Sequence, residues 1–300
     1  KYVKIKNVNL VGFYDSNQNR SKTISKKYKV ESFNGIEDLL KLCDAISVVT
    51  PTSTHYEVAK LALMFGCHVF IEKPITDNLN QASDLIDLAS QKKLFIQVGH
   101  IERFNPAFLS VNVKDINPLY IDSRRFSPFP NRGTDVDVIL DLMIHDIDII
   151  LHIVKSKVKS IESSGIRVLS DFYDFVNTRI QFENNCVAQM SANRCAKHQV
   201  RKLKLYEQDV HTSIDFLNTN VEKLIITDNK RENESFELFG NHENKSILYK
   251  NDVIKKHDAL NMELNQFIVS IKNIQKPEVD GLAATKALEL AIDIQKSLEN

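Results

Sequence analysis

Apolar and polar positions alternate along this chain in two rhythms, and the change between them falls near residue 106. Up to that point short β-branched runs are separated by stretches of helical spacing. Residues 8–14 form an apolar run that halts at Asp15-Ser16-Asn17, a strand followed by a helix start signal. A second strand is expected at 44–50, ending at Pro51, with a helix from about Ser53 to Phe65. Strands at 68–74 and 95–99 flank a further helix at 78–91. Near-continuous apolar strands alternating with amphipathic helices require a parallel sheet covered on both faces.

Beyond Pro106 the most continuous pattern is Asp137–Val154, whose non-polar members are all large and aliphatic, which predicts a buried helix. Its polar residues are ordered. Asp137, Asp141, His145, Asp148 and His152 follow at steps of 4, 4, 3 and 4, and at about 100° per residue they share one narrow stripe, with Asp146 pointing the opposite way. Carboxylates in a core are costly unless paired or used, so the stripe is either a satisfied buried network or a proton-handling site. Runs with strand character follow at 159–169, 175–182, 186–194, 201–206 and 221–227, joined by turns such as Glu183-Asn184-Asn185. Helical spacing returns at 258–273 and 282–298. The fold expected is α/β: a doubly wound parallel (Rossmann) sheet, then an α+β domain with an open, largely antiparallel sheet.

Composition narrows the function. The 300 residues suffice for two domains, and 39 basic against 39 acidic residues give no field to recruit nucleic acid or an anionic membrane. No apolar run reaches the roughly 18 residues of a membrane span, and no signal peptide opens the chain, so a cytoplasmic protein acting on a small molecule is expected. The four cysteines, Cys43, Cys67, Cys186 and Cys195, include no CxxC pair and are expected as free thiols, although Cys186 and Cys195 can also be read as facing each other across a hairpin.

Ligands of an open parallel sheet bind beyond the carboxyl ends of its strands, where three candidate sites fall. Asp15 is an acid at a strand end, suited to ribose hydroxyls and repellent to a 2′-phosphate, or else a plain helix cap. Thr50-Pro51-Thr52-Ser53-Thr54-His55 offers hydroxyls at a helix start, for a ligand or a cap. Lys73, in Glu72-Lys73-Pro74, ends a doubly buried strand and either reaches into the crevice or is solvated, and a cis Pro74 would aim it. None of the 8 glycines forms a GxGxxG, and no strand precedes the one ending at Asp15.

In order along the chain, Gly12-Phe-Tyr-Asp15, Thr50-Pro51 with His55, Glu72-Lys73-Pro74, Gly99-His-Ile-Glu-Arg103-Phe-Asn105-Pro106 and Asp141-Leu-Met-Ile-His145-Asp146 resemble the Gfo/Idh/MocA family of nicotinamide-dependent oxidoreductases. The resemblance covers nearly the whole chain, without the family's opening strand, glycine loop and first helix, and the first residue, Lys1, leaves these expected ahead of it. It implies a dinucleotide-binding domain over 1–100 and a substrate-binding and oligomerisation domain over 101–300, assembled as a homodimer or homotetramer.

By the same resemblance the catalytic residues are Lys73, Asp141 and His145. His145 is the general base, Lys73 stabilises the oxyanion, and Asp141 holds a neighbouring hydroxyl. Asp15, Thr50, Pro51, His55, Glu72 and Lys73 are the cofactor residues, for NAD in preference to NADP. The substrate is implied to be a sugar or nucleotide sugar, with the members that oxidise the 3-hydroxyl of UDP-N-acetylglucosamine most similar. Arg103, Asn105, Arg125 and Arg132 would bind it, the arginines meeting its diphosphate. Two alternatives stand beside this: a redox-neutral, NAD-using glycosidase, and a non-catalytic sensor or assembly partner. Asp141 and His145 have metal-ligand spacing, but no cysteine or second histidine completes a site, so no metal is expected.

Overall fold

The structure, a computed structural model, describes residues 1–6, 8–129, 136–228, 236–242 and 245–299. The chain divides into two compact units, Lys1–His100 with Leu260–Thr285, and Ile101–Ala259 with Lys286–Asn300.

In the first unit the order is β1 (Phe13–Tyr14), α1 (Gln18–Tyr28), β2 (Ser32–Phe33), α2 (Ile36–Leu40), β3 (Ala45–Val48), α3 (His55–Met64), β4 (His68–Ile71), α4 (Leu79–Lys92) and β5 (Ile96–Val98). Every pairing among these strands is parallel: β1 with β2, and β4 between β3 and β5. Val69, Phe70 and Ile71 are all buried, as a strand covered on both faces demands. Helix starts follow local chemistry. The Asn17 side chain accepts the amides of Asn19 and Arg20 to open α1, and Asn78 accepts that of Gln81 to open α4. The strand expected over 8–14 is ordered as β only at Phe13–Tyr14. Gly12 permits the close approach there, since a Cβ at that position would lie 2.5 Å from the Phe33 ring and 2.7 Å from the Glu31 carbonyl.

In the second unit α5 (Pro106–Leu109) and β6 (Tyr120–Phe126) precede a wide π-helical turn, Ile139–Met143, that runs straight into α6 (Ile144–Val154). Then come β7 (Val158–Ile166), β8 (Phe175–Phe182), β9 (Val187–Asn193), β10 (Val200–Tyr206), β11 (Val210–Asp215), β12 (Asn220–Thr227), β13 (Glu237–His242) and β14 (Lys245–Val253). Among the described residues they form one sheet ordered β13-β14-β12-β11-β10-β6-β9-β8-β7, antiparallel throughout except where β6 meets β9. Alternate residues on one face, such as Val176, Ile180, Ala188, Met190, Leu203 and Leu205, pack with Ile144, Ile147 and Ile150 of α6 in a single core. All four cysteines are free thiols. The alternative of Cys186 facing Cys195 across a hairpin is corrected: the two flank β9, one beyond each end of a single strand.

The chain ends with α7 (Ala259–Asn273) and α8 (Gly281–Ser297). The sequence places both in the second domain, but the first unit claims Leu260–Thr285. Three contacts to β5 explain this. Gln97 donates its amide to the Glu263 carbonyl at 3.0 Å, Val98 N–H donates to the Val279 carbonyl at 2.9 Å, and Gln97 bridges Asp280. Leu264 and Phe267 then complete a core cluster with Phe70 and Ile5. The far half of α8 belongs to the second unit, where Ala287, Leu290, Ala291 and Ile294 join the main core.

Candidate active site

In the first unit the proposed cofactor residues stand at the carboxyl ends of parallel strands. Asp15 follows β1, and its carboxylate accepts the Asn17 amide at 2.8 Å and a two-pronged grip from Arg20, Nε at 2.5 Å and Nη2 at 2.9 Å. The Arg20 hydrogen bonds hold this carboxyl below the usual range, so it is ionised at neutral pH. Those three bonds leave about one of a carboxylate's roughly four acceptor positions open. Arg20, five residues downstream on α1, is brought to Asp15 only by the turn between strand and helix.

Thr50 and Pro51 follow β3 as exposed residues, and His55 begins α3 as a buried one. The His55 ring touches backbone on both sides: Nδ1 lies 2.8 Å from the Pro74 carbonyl and Nε2 lies 2.9 Å from the Thr50 carbonyl. Both ring nitrogens therefore lie against backbone carbonyls.

Glu72 and Lys73 follow β4, both half-buried, and the Lys73–Pro74 peptide is cis. Burial pushes the Glu72 carboxyl up, while the backbone amide and charge of Lys73 and the charge of His55 pull it down. Its oxygens pack directly over Gly99, where a Cβ would sit 2.9 Å from Oε2. The Gly99 amide donates to the Ile71 carbonyl at 2.8 Å, tying the end of β5 to the end of β4.

In the second unit Asp141 sits in the π-helical turn and His145 in the first turn of α6, both half-buried. π-helical turns inside helices are frequent at functional sites because they re-aim the side chains they carry. The rest of the polar stripe is structural. Asp137 accepts the amides of Ile139 and Leu140, each at 3.0 Å, and the Gln295 side chain at 2.6 Å, so it caps the helix and ties it to α8. Asp148 accepts Arg103 Nε at 2.6 Å and Nη2 at 3.1 Å, with both side chains buried. Burial, with the nearby Arg103 charge, lowers His152 to about 4, leaving it neutral at physiological pH.

Asp146, opposite the stripe, faces β6. Arg125 donates to it twice and to Glu102 once, at 2.8 Å, and Glu102 also accepts Arg201 at 3.3 Å and the Asn105 amide at 3.0 Å. Burial opposes the Arg125 charge, but Asp146 and Glu102 more than offset it and raise its pKa. Arg103 and Arg125, expected from the resemblance to meet a substrate diphosphate, are buried here and paired with carboxylates within the protein. Asn105 is likewise occupied, donating to Glu102 and to the Phe216 carbonyl and accepting the Ala107 amide at the start of α5. Arg132 lies outside the described residues. One sign of this network was present in the sequence: Asp146, pointing away from the polar stripe of an otherwise apolar helix. Among the described residues, no group of three or more His, Cys, Asp or Glu is placed to hold a metal ion.

The sequence model of a family described as an oxidoreductase family with an NAD-binding Rossmann fold matches residues 2–100, and that of a Gfo/Idh/MocA C-terminal domain matches 112–209. UDP-N-acetylglucosamine 3-dehydrogenase of Acidithiobacillus ferrooxidans is 30% identical over 97% of this chain and 90% of its own. A crystal structure of that enzyme superposes with a TM-score of 0.87, covering 96% of this chain and 89% of the other at 30% identity. The NAD-dependent scyllo-inositol 2-dehydrogenase of Bacillus subtilis is 23% identical over 92% of this chain and 80% of its own. The chain belongs to the Gfo/Idh/MocA family of NAD-binding oxidoreductases. It is an enzyme, and its cofactor is NAD.

Proposed function

We propose that this enzyme oxidises a hydroxyl-bearing carbon of a sugar or nucleotide sugar, and that the substrate is UDP-N-acetylglucosamine, oxidised at its 3-hydroxyl. Bound NAD supplies the nicotinamide carbon that accepts hydride. His145 takes the hydroxyl proton as the C–H hydride departs, so alcohol and NAD⁺ become ketone, NADH and a proton. Lys73 holds the oxygen as negative charge develops on it, and Asp141 anchors a neighbouring hydroxyl of the ring. The donor set in the first unit suits the cofactor: Asp15 is an ionised acceptor at a strand end, and Thr50, Pro51, Glu72 and Lys73 stand at neighbouring strand ends.

The likeness to the Acidithiobacillus dehydrogenase carries this assignment, because it extends over 97% of this chain and so beyond the cofactor half alone. The second unit supports it with Asp141 and His145 four residues apart and half-buried, one in the π-helical turn and the other in the first turn of α6.

The outward face of the nine-stranded sheet, with Tyr120, Asp122, Arg124, Lys202, Lys204 and Tyr206, is the surface we assign to a homodimer or homotetramer. Among the described residues no helix is long and apolar enough to cross a membrane, and we place the enzyme, with its free thiols, in the cytoplasm. Incubation with NAD and a panel of sugars and nucleotide sugars tests the proposal. NADH accumulation with UDP-N-acetylglucosamine supports it, and cleavage to free sugar with no net NADH overturns it in favour of redox-neutral glycoside cleavage.

A further inference from the structure

His55 poses a problem of proton count. Both of its ring nitrogens lie within hydrogen-bond distance of a carbonyl oxygen, Pro74 at 2.8 Å and Thr50 at 2.9 Å, and a carbonyl can only accept. A neutral imidazole has one N–H and one lone pair, so in either tautomer one of these contacts would set a lone pair against a carbonyl oxygen. Turning the ring over replaces both nitrogens with carbons and removes both bonds. The residue is 1% exposed, which leaves no water to relieve the mismatch cheaply.

His68, in the same unit, shows the opposite arrangement. Its Nδ1 accepts the Phe95 amide at 2.9 Å, which requires an unprotonated nitrogen there.

We infer that His55 is held as an imidazolium whose two N–H groups staple the Thr50 and Pro74 carbonyls together, fixing the backbone beside Lys73. The charged groups around it are consistent with this. The Glu72 carboxylate, from the end of β4, interacts with the charges of both His55 and Lys73, and Glu57 lies in the same first turn of α3. Lys73 and the positive end of α3 work against a second cation, so Glu72 is the group that makes it tenable. His55 is then a positioning residue. It touches neither substrate nor cofactor through its nitrogens, and it acts on the reaction by holding the segment that carries Lys73. This role rests on the function proposed above, but the protonation state does not.

Nitrogen-edited NMR of imidazoles in the ¹⁵N-labelled full chain tests the staple directly, with His55→Gln and His68→Gln spectra to assign the two rings. At about pH 7.5, where an ordinary histidine is mostly neutral, His55 is expected to show two protonated nitrogens and His68 an unprotonated Nδ1. One unprotonated nitrogen on His55 would overturn the inference. Steady-state kinetics tests the positioning. His55→Gln and His55→Asn are expected to lower kcat by about 10- to 100-fold, the scale of a 1 Å misplacement, with the sugar KM within about 2-fold. An unchanged kcat overturns the positioning role. If no sugar is oxidised by the wild type, the function fails while the NMR result still decides the staple.

Discussion

Arg125 grips Asp146 through two parallel hydrogen bonds, Nε to Oδ2 at 2.9 Å and Nη2 to Oδ1 at 2.7 Å, with both side chains buried one residue away from His145. The third arm of the same guanidinium reaches Glu102. The fork anchors α6 to β6 one residue from His145.

Removal of the Arg125 side chain therefore leaves Asp146 buried without its cation and Glu102 with only the longer Arg201 contact at 3.3 Å. Arg125→Ala is expected to lose about 3–5 kcal/mol of stability, and Arg125→Lys a large part of that, because an ammonium cannot supply the fork. Urea denaturation measures this. A normal midpoint with a raised KM for the nucleotide sugar would instead return Arg125 to the substrate.

At Asp15 the expectation concerns cofactor choice. Asp15→Ala is expected to cost about 10- to 100-fold in kcat/KM with NAD, the worth of hydrogen bonds to a charged acceptor. It is also expected to raise the use of NADP, since the repelling charge is gone and Arg20 remains beside the position. Arg20→Ala, which frees the carboxylate, is expected to leave NAD affinity equal or better. Kinetics with both dinucleotides check the pair.

Gly99 makes the Glu72 packing testable. A methyl in Gly99→Ala would sit 2.9 Å from Glu72 Oε2, so the carboxylate must move, and the KM for NAD is expected to rise several-fold with little loss of thermal stability. Steady-state kinetics with varied NAD, alongside thermal melts, checks it.

Three histidines, His68, His152 and His211, predict an acid limb of stability above the carboxylate range, His211 being lowered by burial and the Lys204 charge. Burial lowers His68, and burial with the Arg103 charge lowers His152 to about 4. Unfolded histidines titrate near 6.5. The unfolded chain therefore takes up protons first as pH falls, and stability complete above about pH 6.5 declines from there toward pH 4. Thermal melts across this range are expected to show a shallower decline in His152→Gln than in wild type.

The sequence made elements legible where burial follows hydrophobicity. Phe175–Phe182 alternates cleanly and is β8 to the residue. Tyr120–Phe126 was unrecognisable as a strand because its inward positions include Ser123 and Arg125, polar residues buried against partners that only folding supplies. The site divides in the same way. Strand-end residues and the Asp141–His145 spacing are local and were readable. The partners of Asp148 and Asp146 are 45 and 21 residues away, so the spacing pattern alone could not show that these acids are paired within the fold. Asp137 looked like a member of the stripe and proved to be a cap, because its partners are amides and Gln295, 158 residues on.

NADH absorbance with UDP-N-acetylglucosamine, followed for wild type and for Lys73→Ala and His145→Ala, is the sharpest test of the proposed hydride transfer from sugar to NAD assisted by Lys73, Asp141 and His145. The wild type is expected to produce NADH and each variant to fall by about 10²- to 10⁴-fold in kcat, the usual contribution of a positioned proton-handling group, with folding intact. Undiminished turnover in either variant would contradict the assignment.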